Sequence, residues 1–312
     1  MSPYLTPTPR ARVTKALLIA LPLAAMFAHA TPVSSDLASA APMCRPEGTI
    51  VRVPGLPEGS GIAVSRRDPR RAWAHNDSGR PVLVSLDDRG VVTGRFQVTG
   101  AGVEDWEAVA AGPCAAGSCL YIGDIGDNDA ERKRITIYRV PEPEGGSRSV
   151  SAHDAFHAVY PDGAHDAETL LVTPEGDLFI VTKGDTGPVA IYRLPRRIER
   201  GATVELERVG KPRDPGPVGS GDRITDGAVS PSGSWVALRT NHDVRFYAAA
   251  DLLAGNWREA GRLNLKPLGE PQGEGLAFAS DSLLYLVGEG GGKSQAGTFA
   301  RLTCVFDENS GR

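Results

Sequence analysis

Five copies of one pattern run along the chain and constrain its fold more than any other feature. Each copy has a polar residue, a short apolar run, a turn, a second apolar run and a polar loop. The intervals between the leading polar residues are 47, 61, 57 and 49 residues, a spacing typical of repeat architectures. The copies begin at Ser60, Glu107, Glu168, Thr225 and Glu274.

The apolar runs predict β-strands, because they alternate, contain β-branched residues and are bounded by turn residues. The first strands start at the leading residues, and a second strand follows in each copy at 72–75, 120–123, 178–182, 235–239 and 283–288. Third strands are predicted at 82–86, 135–140, 190–194, 244–247 and 298–302. A more polar fourth strand fits four of the copies, at 91–98, 156–160, 204–209 and 259–265.

Repeated four-stranded units predict an all-β fold, a β-propeller over residues 49–306 with five blades. Six blades are the alternative if the 61-residue interval contains a degenerate blade. The fifth copy has no fourth strand, but residues 49–53 form a spare strand before the first copy. That N-terminal strand can complete the last blade and close the circle, which removes an exposed sheet edge. A Pro- and Gly-rich loop at 211–221 is predicted between blades 3 and 4.

The N-terminus predicts export. Three basic residues precede an apolar run at 16–28, and Ala28, His29 and Ala30 give a small-residue cleavage site, so residues 1–30 read as a signal peptide. The run is shorter than the roughly 20 residues that span a bilayer, so no membrane span is expected. Residues 31–48 are predicted to be disordered or extended, and 307–312 to be a tail. The protein is expected to be secreted and monomeric.

The four cysteines suit an oxidising compartment, where an even count favours two disulfides. Cys114 and Cys119 have a spacing suited to bridging a hairpin loop, which leaves Cys44 to pair with Cys304. A bond between the two ends of the domain agrees with a circular fold. With a net charge of −4, nothing in the sequence suggests the clustered Lys and Arg on which nucleic-acid binding rests, so no nucleic-acid partner is expected.

Two sets of polar residues converge at one face of such a propeller. The inner strand of each blade starts on this face, and the connection from the second to the third strand returns to it. The five leading residues would therefore line the mouth of the central channel. Loops after the second strands bring further candidates to the same face, namely His75, Asp77, Asp124 and Asp127.

Three glutamates around one axis repel one another at neutral pH unless a cation or protons intervene. Ca²⁺ accepts six to eight oxygen ligands in flexible geometry, so we expect it as the cofactor. Its expected ligands are Ser60, Glu107, Glu168, Thr225 and Glu274. The alternative is that the glutamates pair with Arg or with backbone amides around a water-filled channel.

A bound Ca²⁺ could hold and polarise a small phosphate or ester substrate while Asp77, Asp124 or Asp127 positions an attacking water. His75 could serve as a general base or a ligand, since imidazole titrates near neutrality. The sequence contains no Gly-x-Ser-x-Gly elbow, no His-Glu-x-x-His pair and no phosphate loop. It leaves open whether the protein is a calcium-dependent hydrolase or a non-catalytic extracellular binding or scaffold propeller.

Several of these segments resemble the calcium-activated apyrases. The similar positions are Glu107-Ala108-Val109-Ala110, Glu168, Thr225 six residues before Pro231, and Glu274-Gly275-Leu276-Ala277-Phe278, with Ser60 or Ser65 at the first position. The resemblance implies a five-bladed propeller that binds a central Ca²⁺ through Glu and Ser and hydrolyses nucleoside diphosphates. More loosely, the chain is similar to secreted propellers of the phytase-like esterase and calcium-dependent lactonase groups.

Overall fold

The computed structural model describes residues 42–144, 147–198, 201–292 and 294–306. The predicted signal peptide, most of the segment 31–48 and the tail 307–312 lie outside these residues.

Five sheets, one for each predicted copy, form five blades. The inner strands are Gly59–Val64, Trp106–Cys114, Ala167–Val172, Ile224–Val229 and Gln272–Ser280. The second strands are Arg71–Asn76, Gly117–Asp124, Leu178–Thr182, Trp235–Thr240 and Leu283–Glu289. The third strands are Val82–Asp87, Ile135–Pro141, Val189–Arg193, Asp243–Ala248 and Gly297–Val305. The outer strands of blades 1 to 4 are Val92–Thr99, Asp154–Val159, Glu207–Asp214 and Glu259–Asn264.

Each inner strand packs against the inner strands of the two neighbouring blades, so the sheets form a closed circle. The predicted five-bladed propeller is confirmed, and the described residues contain no sixth blade. Helices in this part of the chain are limited to single turns, Ala249–Leu252 and a 3₁₀ turn at Lys266–Leu268. None is long and apolar enough to cross a membrane.

The N-terminal part of the chain completes blade 5. Val51–Val53 pairs antiparallel with the beginning of the third strand of that blade, as predicted. A second strand, Met43–Pro46, pairs with the end of the same strand and places Cys44 directly opposite Cys304. Both predicted disulfides are formed, Cys44–Cys304 and Cys114–Cys119. The closure therefore has a sheet contact and a covalent bond at the same place.

Two short strands join neighbouring blades at the rim. Ser149–Ser151 leaves the connection inside blade 2 and pairs in parallel with the outer strand of blade 1. Thr203–Glu205 does the same from blade 3 to blade 2. The predicted strand 204–209 is therefore split, since its beginning pairs with blade 2 and Glu207–Asp214 forms the outer edge of blade 3. This outer strand also takes the first four residues of the predicted loop 211–221.

The hydrophobic core consists of five clusters, one at each interface between neighbouring blades. Trp73 and Trp106 dominate the interface of blades 1 and 2, and Tyr121 packs with Ile180 between blades 2 and 3. The other three clusters fill the remaining interfaces in the same way. Because apolar side chains cover both faces of the central strands, each blade depends on its neighbours for burial.

Candidate functional site

All five leading residues occupy equivalent positions at the start of the inner strands. In every blade the register between the inner and second strands shifts at this point, which marks a β-bulge. A bulge leaves one or more residues out of the strand pairing and re-aims their side chains. The residues at the bulges, all of them buried, are Ser60, Glu107, Glu168, Thr225 and Glu274. We call this set the ring.

The two hydroxyl groups of the ring connect neighbouring blades. Ser60 Oγ lies 3.0 Å from both the backbone oxygen and Oε2 of Glu107, to either of which it can donate. Thr225 Oγ1 donates to the backbone oxygen of Glu274 at 3.0 Å. Both hydroxyls therefore hold the start of the next inner strand in place.

Lys183 supplies a positive charge to the ring. It is the first residue after the second strand of blade 3, and its Nζ forms ion pairs with Glu168 and, at 3.2 Å, with Asp166 Oδ2. Burial opposes its charged form, but the charges of Glu168 and Asp166 outweigh this and raise the pKa of Lys183 above its usual range. The ammonium group is therefore held charged between two carboxylates.

The ring glutamates retain protons more strongly than exposed glutamates do. Burial, together with the charges of Glu168 and Asp105, raises the pKa of Glu107 well above its usual range. Burial and the charge of Glu274 do the same to the pKa of Glu168, although Lys183 opposes them. Burial raises the pKa of Glu274 to about 7, against the hydrogen bond that Gln272 donates to it at 2.7 Å. Negative charge in the ring is only partly balanced.

Two aspartates, one half-buried and one buried, add to the charge of the ring, and our sequence predictions did not include them. Asp105 and Asp166 stand two residues before Glu107 and Glu168, so an Asp-x-Glu pair occurs in both blade 2 and blade 3. Burial and the charges of Asp166 and Asp77 raise the pKa of Asp105 to about 6. The repeated Asp-x-Glu spacing is the sequence signal that could have identified both residues. We call the ring together with Asp105 and Asp166 the acidic mouth.

Asp77 lies beside the acidic mouth, as the sequence predicts for a loop after a second strand. It is half-buried, and its charge contributes to the raised pKa of both Asp105 and Glu289. Glu289 lies at the end of the second strand of blade 5 and accepts a hydrogen bond from Gln272 Nε2 at 2.8 Å.

Asp124 and Asp127 are engaged in local hydrogen bonds. Asp124 accepts the backbone N–H groups of Glu104 and Asp105 and pairs with Arg132 at 3.0 Å. Asp127 accepts the backbone N–H groups of Glu131 and Arg132. Both carboxylates therefore shape the loops of blade 2.

His75 lies inside the protein between blades 1 and 2. The side chain is fully buried and packs edge-on against Trp106, which is itself buried between the two blades. Burial lowers the pKa of His75 to about 4, despite the hydrogen bond between its Nδ1 and the backbone oxygen of Asn76. The imidazole is therefore neutral at physiological pH and has no exposed surface.

The donor atoms of the acidic mouth are hard oxygens, the type that Ca²⁺ prefers. Each ring glutamate already has a partner, since Glu107 contacts Ser60, Glu168 contacts Lys183 and Glu274 contacts Gln272. Across the described residues, no three His, Cys, Asp or Glu side chains are gathered closely enough to hold a metal ion as they stand. The chemistry of the donors fits Ca²⁺, but their present arrangement does not form a cage.

The space around the acidic mouth differs from that deeper in the channel. Beyond the ring, a space of about 60 Å³ in the channel is lined by apolar residues of all five inner strands. Beside the mouth, a polar pocket of about 360 Å³ lies between blades 4 and 5 and includes Asn241, His242 and Gln272. A larger groove of about 450 Å³ lies farther out, between blades 2 and 3. Of these three spaces, only the polar pocket includes a residue that contacts the ring, namely Gln272.

Comparison with known proteins gives the fold and no family. No protein-family model and no curated protein matches the chain. Among solved structures, the PQQ-bound aldose sugar dehydrogenase of Streptomyces coelicolor matches with a TM-score of 0.53 and 11% identity, over 86% of this chain and 100% of that one. A catalytically inactive virginiamycin B lyase of Staphylococcus aureus with quinupristin matches with a TM-score of 0.40 and 10% identity, over 85% and 100%. At 11% identity, the match to the aldose sugar dehydrogenase shows a likeness in fold alone.

Proposed function

We propose that the protein is a secreted binding propeller that holds a cation, Ca²⁺, in its acidic mouth. The observation that carries this proposal is the charge balance, since five carboxyl groups in the mouth face the one ammonium group of Lys183. Arg132 and Arg239 also act on these groups, but each is paired with other carboxylates, Asp124 and Glu270. Buried carboxylates in excess favour either protons or a cation.

Ca²⁺ suits this mouth better than a softer metal. The available donors are carboxylate and hydroxyl oxygens, and no cysteine of the chain is free to supply a thiolate. Both disulfides agree with an oxidising compartment, and the extracellular one is rich in Ca²⁺. The resemblance of the ring positions to those of the calcium-activated apyrases gives further support. The ion would have to compete with Lys183 for Glu168.

The predicted catalytic residues favour binding over catalysis. Asp124 and Asp127 are committed to loop hydrogen bonds, and His75 is buried and neutral. Asp77 is the one of the four that is half-buried beside the mouth, so calcium-dependent hydrolysis of a phosphate or ester substrate is the second candidate. Turnover of phosphomonoester, nucleotide, lactone or aryl-ester substrates that Asp77→Asn abolishes would establish hydrolysis.

Calorimetric titration of the EGTA-treated protein tests the binding proposal. We expect one Ca²⁺ per chain and a rise in melting temperature, because a ligand at 100 times its Kd stabilises the native state by about 2.7 kcal/mol. The triple variant Glu107→Gln, Glu168→Gln, Glu274→Gln should lose both effects. Its matched control carries the same change at three exposed positions, Glu175→Gln, Glu205→Gln and Glu207→Gln, and should retain them. Absence of heat and of a melting shift at millimolar Ca²⁺ would contradict the proposal.

A further inference from the structure

Backbone hydrogen bonds fix the main chain of Lys183. Its N–H donates to the backbone oxygen of Asp166 at 3.0 Å, and its own oxygen accepts the N–H of Ile224 at 2.9 Å. These bonds join the inner strands of blades 3 and 4 and set the position of the Cα atom. Four flexible methylene groups then carry the ammonium to the carboxylates. The backbone of Lys183 thus has a fixed position, and rotation about the bonds of its side chain can place the ammonium group on the carboxylates or away from them.

The cation at this position belongs to blade 3 alone. The first residue after the second strand is Asp77 in blade 1, Ile125 in blade 2, Asn241 in blade 4 and Gly290 in blade 5. The propeller fold therefore does not require a lysine here. What distinguishes blade 3 is that its Asp-x-Glu pair, Asp166 and Glu168, holds this lysine.

Blade 2 offers the same pair without a lysine. Asp105 and Glu107 form no ion pair with any Lys or Arg in the described ranges. Gly126 lies against both side chains, and a Cβ atom there would come within 2.4 Å of Asp105 Oδ2 and 2.8 Å of Glu107 Cγ. In blade 2 the loop thus places a glycine against the Asp-x-Glu pair, whereas in blade 3 the loop places the ammonium group of a lysine between the two carboxylates.

We propose that Lys183 is a built-in counter-ion that occupies the acidic mouth and that an external cation must displace from Glu168 and Asp166. This inference rests on the proposed function and assigns Lys183 the control of affinity and selectivity at that site. A monovalent ion would gain no more charge interaction than the ammonium it replaces. A divalent ion gains more from the same carboxylates, so the competition favours Ca²⁺ over Na⁺ or K⁺.

Comparison of the wild-type protein with Lys183→Met tests this role, because methionine has nearly the same length and no charge. We expect Ca²⁺ to bind Lys183→Met at least tenfold more tightly in calorimetric titrations. In EGTA at pH 8 the variant should melt at a lower temperature than the wild type, and saturating Ca²⁺ should more than restore it. Lys211→Met is the matched control, since it removes one positive charge from an exposed position and should leave the Ca²⁺ affinity unchanged.

The outcomes separate this inference from the proposed function. Equal Ca²⁺ affinity of wild type and Lys183→Met overturns the inference and leaves Ca²⁺ binding in place. Binding by Lys183→Met alone contradicts the proposed function and overturns the displacement of Lys183 by an external cation, since the lysine would then take the place of the metal permanently. Binding by neither protein overturns both.

A second variant keeps the test decisive if Lys183→Met does not fold. Lys183→Arg retains the positive charge, so Ca²⁺ should bind it no more tightly than it binds the wild type. A tenfold gain in affinity with this charge-retaining variant would overturn the inference, because the gain would then not come from removing the counter-ion.

Discussion

At the scale of one residue, Glu274 shows that the acidic mouth lowers the stability of the folded protein. Its carboxyl group is buried and accepts a hydrogen bond from the neutral amide of Gln272, and the charge of Glu289 opposes its ionisation. The pKa of Glu274 in the folded protein is therefore about 7, whereas an exposed glutamate has a pKa of 4.5. Below a pH of about 7 the buried carboxyl group stays mostly protonated. Folding costs more free energy once the unfolded chain can ionise and the folded one cannot.

The pH dependence of stability should reveal this cost. A carboxyl group with a raised folded pKa lowers the free energy of unfolding as pH rises from about 4.5 to about 7, and the loss is complete above that range. In EGTA, Glu274→Gln should remove up to roughly 3 kcal/mol of this decline. Urea denaturation at pH 5, 6, 7 and 8 measures it. Glu175→Gln, on the surface, should leave the decline unchanged, and parallel curves for Glu274→Gln and wild type would contradict the prediction.

The ring residues could be predicted from sequence, whereas their partners could not. Ser60, Glu107 and the other ring members lead their copies, so the repeat register alone places them at equivalent positions. The pairing of Lys183 with Glu168 depends on where a loop residue points across its own blade, which no periodicity records. The position of His75 could not be predicted either, because its burial against Trp106 depends on the packing of blade 1 on blade 2.

At the scale of elements, the bulged inner strands approach one another closely at the ring. Gly61 follows Ser60 in the inner strand of blade 1. A Cβ atom at Gly61 would lie 2.7 Å from Val109 N and 2.7 Å from His75 Nε2. One of these neighbours is backbone of the next blade and cannot move without shifting its strand. The narrow spacing of the inner strands thus depends on glycine at this position.

Gly61→Ala should therefore destabilise the protein by roughly 1–3 kcal/mol, the usual cost of overpacking a core. Gly219→Ala is the control, since a Cβ atom at Gly219 meets nothing within 4 Å and its φ lies outside the left-handed region. Thermal and urea denaturation of both variants gives the comparison. Equal stability of Gly61→Ala and wild type would show that blades 1 and 2 can separate at no cost.

The central strands of each blade were predictable, and the rim was not. Short apolar runs identify the inner, second and third strands because these strands are buried on both sides between blades. Ser149–Ser151 and Thr203–Glu205 are three residues long, polar and parallel to their partners, so they leave no pattern in the sequence. Their pairing is decided by which neighbouring edge lies within reach.

At the scale of the whole molecule, the two disulfides close loops of very different length. Cys44–Cys304 spans a sequence separation of 260, and Cys114–Cys119 spans 5. Cross-links over longer loops restrict the unfolded chain more strongly. The bond at the closure of the circle therefore carries most of the covalent stabilisation.

Replacing both cysteines of each pair by serine should show this difference. On the chain-entropy model the Cys44–Cys304 bond contributes about 5.6 kcal/mol and the Cys114–Cys119 bond about 2 kcal/mol. Guanidinium denaturation of Cys44→Ser with Cys304→Ser should give the larger loss, compared with Cys114→Ser and Cys119→Ser. A larger loss for the hairpin pair would contradict the prediction.

The strands that complete blade 5 also set the order of events in biosynthesis. Val51–Val53 and Met43–Pro46 are made before any blade, yet their partner, Gly297–Val305, is the last strand to be made. A growing chain must keep its first strands and Cys44 unpaired while four blades form. Blade 5 can then assemble only after residue 305 has emerged. Closure of the circle of blades therefore shows that all five blades have been synthesised.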